Sequence, residues 1–64
     1  MDMLAIINRV RSEFLEMPGL RLTRAQASRL WGLDAVVCQH VIDVLVQSAF
    51  LRWTAGGTIA RAVD

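Results

Sequence analysis

The 64-residue chain has no lysine and no tyrosine, one cysteine, one proline and one histidine, and each scarcity closes off some chemistry. A single cysteine cannot form an internal disulfide or build a zinc site alone, so the reducing cytoplasm is the expected compartment. Long apolar runs are missing too. Near the N-terminus the longest covers residues 3–7, and Asp2, Arg9, Arg11, Glu13 and Glu16 surround it, which is too little for a signal core or a membrane span. A soluble protein without a membrane partner is expected. There is no phosphate-cradling glycine loop and no carboxylate cluster. Cys38 and His40 are the one nucleophile and base to consider, yet two steps along a helix point them about 200° apart, so they form no dyad. His40 with Asp43 is half a metal site. No enzyme activity, cofactor or metal is expected.

What is abundant is apolar surface. Hydrophobic residues make up 55% of a chain that is one domain, residues 1–64. Burial on so small a body is worth ~90 kcal/mol, against ~95 kcal/mol for ordering the chain. That near balance, with more apolar residues than a small core can hide, favours a homodimer. Net charge is +1, but residues 1–33 carry +2 and residues 34–64 carry −1, and all seven basic residues are arginine. Guanidinium groups bind phosphate in a bidentate fork, and they suit surface ion pairs equally well.

Residues 23–34, Thr-Arg-Ala-Gln-Ala-Ser-Arg-Leu-Trp-Gly-Leu-Asp, are the most informative stretch. Thr23 and Gln26 have capping-box spacing, which starts a helix at Arg24. Gly32 can take positive φ and end that helix, and Asp34 then caps the next. Ala27, Trp31, Leu33, Cys38 and Val41 fall on the inside of the corner between the two helices. Ser28, four residues before the glycine, is small enough for the helices to approach, and is expected to be buried there.

This segment resembles the helix-turn-helix of winged-helix transcriptional regulators, the broad group that includes the MarR-like and ArsR-like repressors. The resemblance covers residues 20–63. It implies an α+β, mainly helical fold: three helices plus a C-terminal β-hairpin wing. The first helix is expected over residues 2–17, with Met3, Ile7, Val10, Phe14 and Met17 on one stripe and Arg9 pairing with Glu13 on the far side, before Pro18 and Gly19 stop it. Leu4, Ile6 and Leu15 widen the apolar arc beyond what a neighbour in one small domain need cover, and this arc, Leu4, Ile7, Val10 and Phe14 included, is the candidate dimer seam. Leu20, Arg21 and Leu22 alternate as an edge strand, which in winged-helix proteins pairs with the wing. The third helix should run from residue 35 to about 48 and bury Cys38, Val41, Ile42 and Leu45. The hairpin is expected over residues 50–63, with strands 50–54 and 58–63 joined by Ala55, Gly56 and Gly57, whose glycines supply positive φ. Trp53 is expected to pack in the core or an interface.

In the resembling family the third helix is the recognition helix. Its outward stripe here is Val36, His40, Asp43 and Gln47, flanked by Ala35 and Gln39. Gln39 offers a bidentate amide for adenine, His40 a donor for phosphate or guanine, and Val36 a contact for a thymine methyl. This face departs from that of a strong DNA binder, since it holds no lysine or arginine and includes Asp43. Positive contacts must then come from Arg24 and Arg29 on the preceding helix and from Arg52 and Arg61 on the wing, which are expected near cross-strand positions where they flank a phosphate or a minor groove. The expected function is that of a dimeric DNA-binding transcriptional regulator whose contacts to double-stranded DNA are Arg24, Arg29, Ala35, Val36, Gln39, His40, Arg52 and Arg61. The alternative is a winged-helix module that binds a protein partner and not DNA, favoured by the near-neutral charge and the acidic, valine-bearing face.

Overall fold

The computed structural model describes residues 2–62. Three helices and a three-stranded antiparallel sheet follow in the order α1 (Met3–Glu16), β1 (Leu22–Thr23), α2 (Arg24–Trp31), α3 (Ala35–Gln47), β2 (Leu51–Trp53) and β3 (Thr58–Arg61). The sheet order is β1-β3-β2, so the first strand pairs with the second arm of the hairpin, as expected of an edge strand.

Helix α1 starts where the Asp2 carboxylate accepts from the backbone N–H of Leu4 at 3.1 Å and Ala5 at 3.3 Å, satisfying first-turn donors that have no partner inside the helix. Val10 and Phe14 are wholly buried. They pack with Ala27, Trp31, Cys38, Val41, Ile42, Leu45, Leu51 and Ile59 in one core. That burial takes Val10 and Phe14 out of the expected seam, while Ile6 and Ile7 are half-buried. What α1 leaves outside is Leu4, Leu15 and the capping Met17, each more than half exposed. The expected Arg9–Glu13 bond is not made through Glu13 Oε2, which is buried without a hydrogen-bond partner.

The strand after α1 lies later than its alternation suggested, at Leu22 and Thr23 instead of residues 20–22. Leu20 is held elsewhere: its N–H donates to the Met17 carbonyl at 2.9 Å in the turn that closes α1. Leu22 then pairs with Ile59 and Thr23 with Thr58. Thr23 thus serves the sheet and the next helix together. Its hydroxyl accepts from Gln26 N–H at 3.1 Å while the Gln26 amide oxygen accepts from Thr23 N–H at 2.9 Å, the reciprocal cap expected from the spacing.

Helix α2 ends at Gly32, whose φ of +67° is the left-handed conformation glycine adopts at least cost. Three residues, 32–34, carry the chain into α3, and the helix axis turns by 108°. Asp34 caps α3 by accepting from Val37 N–H at 3.0 Å. Ser28 is only half-buried, and its contribution is polar. The Ser28 hydroxyl donates to the Leu33 carbonyl, so the side chain ties the turn together as well as making room for it.

Helix α3 closes one residue earlier than expected, at Gln47, with Ser48 as its cap. Phe50 N–H then donates to the Leu45 carbonyl and Ala49 N–H to that of Val46, both at 3.0 Å. This is the Schellman pattern, here with Ala49 at φ +63° in the position that glycine favours. In the hairpin turn only Gly57 has positive φ, +81°; Gly56 does not need its freedom. Gly57 N–H donates to the Thr54 carbonyl and Thr54 N–H to that of Thr58, which makes a three-residue loop closing on a left-handed glycine. Trp53, expected to pack in the core or an interface, is not in the core: it is 41% exposed where β2 meets the hairpin turn. Val63, the last residue of the expected second strand, lies outside the described residues.

Candidate functional site

The corner assembles most of one surface. Arg24, Ala35, Val36, Gln39, His40 and Asp43 line a single open groove between the start of α2 and the first half of α3. The arrangement follows from the fold. Cys38, Val41, Ile42 and Leu45 turn the apolar side of α3 into the core. The side chains about half a turn away then point outward. Val36 is 80% exposed, and Ala35, His40 and Asp43 are exposed beside it.

The polar groups of this groove are joined. Arg24 Nη1 donates to Gln39 Oε1 at 2.7 Å, and Gln39 Nε2 donates to Asp43 Oδ1, also at 2.7 Å. Gln39 and Asp43 are four residues apart on one helix, a spacing at which side chains meet. Arg24 comes from the other arm of the corner, 15 residues earlier in the chain, and only the bend in the chain brings it there. Asp43, which the sequence marks as a source of repulsion, therefore has a structural partner within the face. The Gln39 amide, expected to be free for a base, already has one hydrogen bond at each end.

Three of the eight expected contact residues lie outside this groove. Arg29 is exposed on α2 and lines a separate depression with Leu22, Gln26 and Leu30. The two hairpin arginines, Arg52 and Arg61, do not flank a common point. Register sets Arg52 against Ala60 and Arg61 against Leu51. Directly opposed residues share a face and neighbours along a strand alternate, so Arg52 and Arg61 occupy opposite faces of the hairpin. Arg52 is exposed to solvent. Arg61 is half-buried with its guanidinium carbon 4.4 Å from the centre of the Phe50 ring, and its Nε is buried without a hydrogen-bond partner. Arg11 meets the same ring at 5.0 Å. Arg61 is thus committed to packing at the end of the sheet that follows the C-terminus of α3, away from the groove at its N-terminus.

Cys38 and His40 are separated as their spacing requires, the thiol buried and the imidazole exposed. Burial pushes the Cys38 thiol pKa up, and the nearby positive charge of Arg24 opposes that shift without cancelling it. The thiol lies 4.0 Å from the Arg24 carbonyl oxygen. Among the described residues no three His, Cys, Asp or Glu side chains are grouped to hold a metal ion, and no single helix is long and apolar enough to cross a membrane. No protein-family model, curated protein or solved structure matches this chain.

Proposed function

We propose that this domain is a winged helix-turn-helix that binds double-stranded DNA in the cytoplasm as a dimeric transcriptional regulator, with α3 as its recognition helix and β2–β3 as its wing. The observation that carries this reading is the exposed first half of α3, where Ala35, Val36 and His40 face solvent with the Arg24 guanidinium at the edge of the same groove. A 108° bend through a three-residue turn lies within the range used by helices that present one member to a major groove. Backbone phosphates would be met by Arg24, Arg29 and Arg52, and base edges by Val36, Gln39 and His40. Exposed Leu4 and Leu15 on α1 supply the dimer seam.

A titration of random duplex DNA against salt tests the reading without knowledge of a target. Three arginines on each of two subunits predict a slope of about −5 in log K against log salt. A folded protein that retains no duplex at low salt would transfer the function to the second reading, a protein-binding module. One observation favours that second reading: Val36, the most exposed large hydrophobic side chain described, sits beside Asp43 on a face without permanent cations of its own.

A further inference from the structure

We infer that Gln39 is the specificity-determining residue of this surface, reading adenine through an amide that Arg24 and Asp43 hold in one orientation. The inference rests on the DNA-binding reading and deepens it by naming the base. The two ends of a glutamine amide are nearly the same size and opposite in chemistry, so an unheld amide presents either order. Here the order is fixed. A guanidinium only donates, and it faces Oε1 at 2.7 Å; a carboxylate only accepts, and it faces Nε2 at 2.7 Å. Rotating the amide by half a turn would set donor against donor at one end and acceptor against acceptor at the other.

Each partner occupies one site of the amide, leaving one N–H and one oxygen lone pair for a ligand. That is the pair adenine requires in the major groove, where N7 accepts and the N6 amino group donates. Guanine offers two acceptors there, and its O6 would meet the amide oxygen. Arg24 spends one of its five N–H donors on Gln39. The remainder stay available to a phosphate, so the group that orients the base reader is also a contact to the backbone. Arg24 and Asp43 are on this account positioning residues.

The test is selection from a random duplex pool, then titration of the four single-base variants at each position of the selected site. Wild type is expected to favour adenine at one position per half-site by about tenfold, and Gln39→Ala to bring the four bases level there. Asp43→Ala separates orientation from charge. Removing the acid strengthens binding to every duplex, while freeing the amide lowers the adenine preference from about tenfold to about threefold. If Asp43→Ala strengthens binding and leaves the base ratio unchanged, the carboxylate acts by charge alone and the inference is overturned. Wild-type binding without preference at any position also overturns it, and leaves the DNA-binding reading standing. Failure of wild type to bind any duplex removes both. Gln39 is half-buried and Asp43 exposed, both outside the core, so circular dichroism and the melting temperature establish that each variant is folded.

Discussion

Ser28 and Leu33 hydrogen-bond to each other twice across the turn between α2 and α3: the serine hydroxyl donates to the leucine carbonyl, and the leucine N–H donates to the serine carbonyl at 3.1 Å. The corner that orients α3 is therefore pinned by a side chain as well as by backbone. Ser28→Ala leaves the Leu33 carbonyl without that donor and should cost about 1 kcal/mol. For a domain of this size that lowers the melting temperature by about 4–8 °C. Ser28→Leu adds overpacking and should cost about 1–3 kcal/mol. Equal melting temperatures for the three proteins would show that the side-chain bond carries no stability.

The ends of α2 and α3 make a matched pair. Gly32 and Ala49 both have positive φ, +67° and +63°. Only one of them is glycine. Ala49→Gly should raise stability by about 0.5–1 kcal/mol, the relief of left-handed strain outweighing the added freedom of the unfolded chain. Gly32→Ala should lower stability by about 1 kcal/mol, although no atom lies within 4 Å of the added methyl carbon, because its cost is in the backbone alone. Urea unfolding measures both, as midpoints moving in opposite directions at constant m-value.

Cys38 should be labelled slowly by a thiol reagent in the native state and quickly after unfolding, since it is fully buried and its thiol pKa is raised. The same shift fixes a pH dependence. The folded state holds the thiol proton more tightly than the unfolded chain does, so this contribution to stability is fully present at neutral pH. It is lost as pH rises through the alkaline range of the thiol. Cys38→Ala should remove that alkaline loss; labelling of native wild type at the unfolded rate would contradict the burial.

Leu4 and Leu15 are separated by eleven residues, about three helical turns, and so lie on one stripe of α1 facing away from the core. Sedimentation should show a dimer at micromolar concentration, and the double change of Leu4→Glu and Leu15→Glu should yield a folded monomer. A parent dimer that survives both changes places the seam elsewhere.

The sequence made the local devices of this fold legible and its distant contacts much less so. Thr23 and Gln26, Gly32 and Asp34 announce themselves because a cap needs a particular residue type at a particular spacing. The Gln39–Asp43 bond was within reach for the same reason, being an i,i+4 pair on a helix. Its completion by Arg24 was not, because that contact exists only after the corner has folded. The cap at Ala49 gave no signal, since its conformation is imposed by the chain around it and not by glycine. Apolar periodicity found the stripe of α1 but not its end: Val10 and Phe14 on that stripe are buried, whereas Met17 on the same stripe is more than half exposed, because packing and not spacing sets where the core stops.

Register separates the two hairpin arginines in the same way. A shift of one residue between strands exchanges the faces on which side chains lie, so counting from the turn could not tell that Arg52 and Arg61 diverge. Their substitutions should now have different effects. Arg52→Ala removes an exposed cation from the outer side of the hairpin; it should weaken binding to every duplex and reduce the salt slope of a dimer by about 2, with the melting temperature unchanged. Arg61→Ala removes the guanidinium packed on Phe50 and should cost about 0.5–1 kcal/mol of stability while leaving the slope alone. Salt titrations and thermal melts on the two variants give four readings. If Arg61→Ala flattens the slope as Arg52→Ala does, Arg61 leaves the Phe50 ring to reach phosphate, and the division of labour between the two faces of the hairpin is wrong.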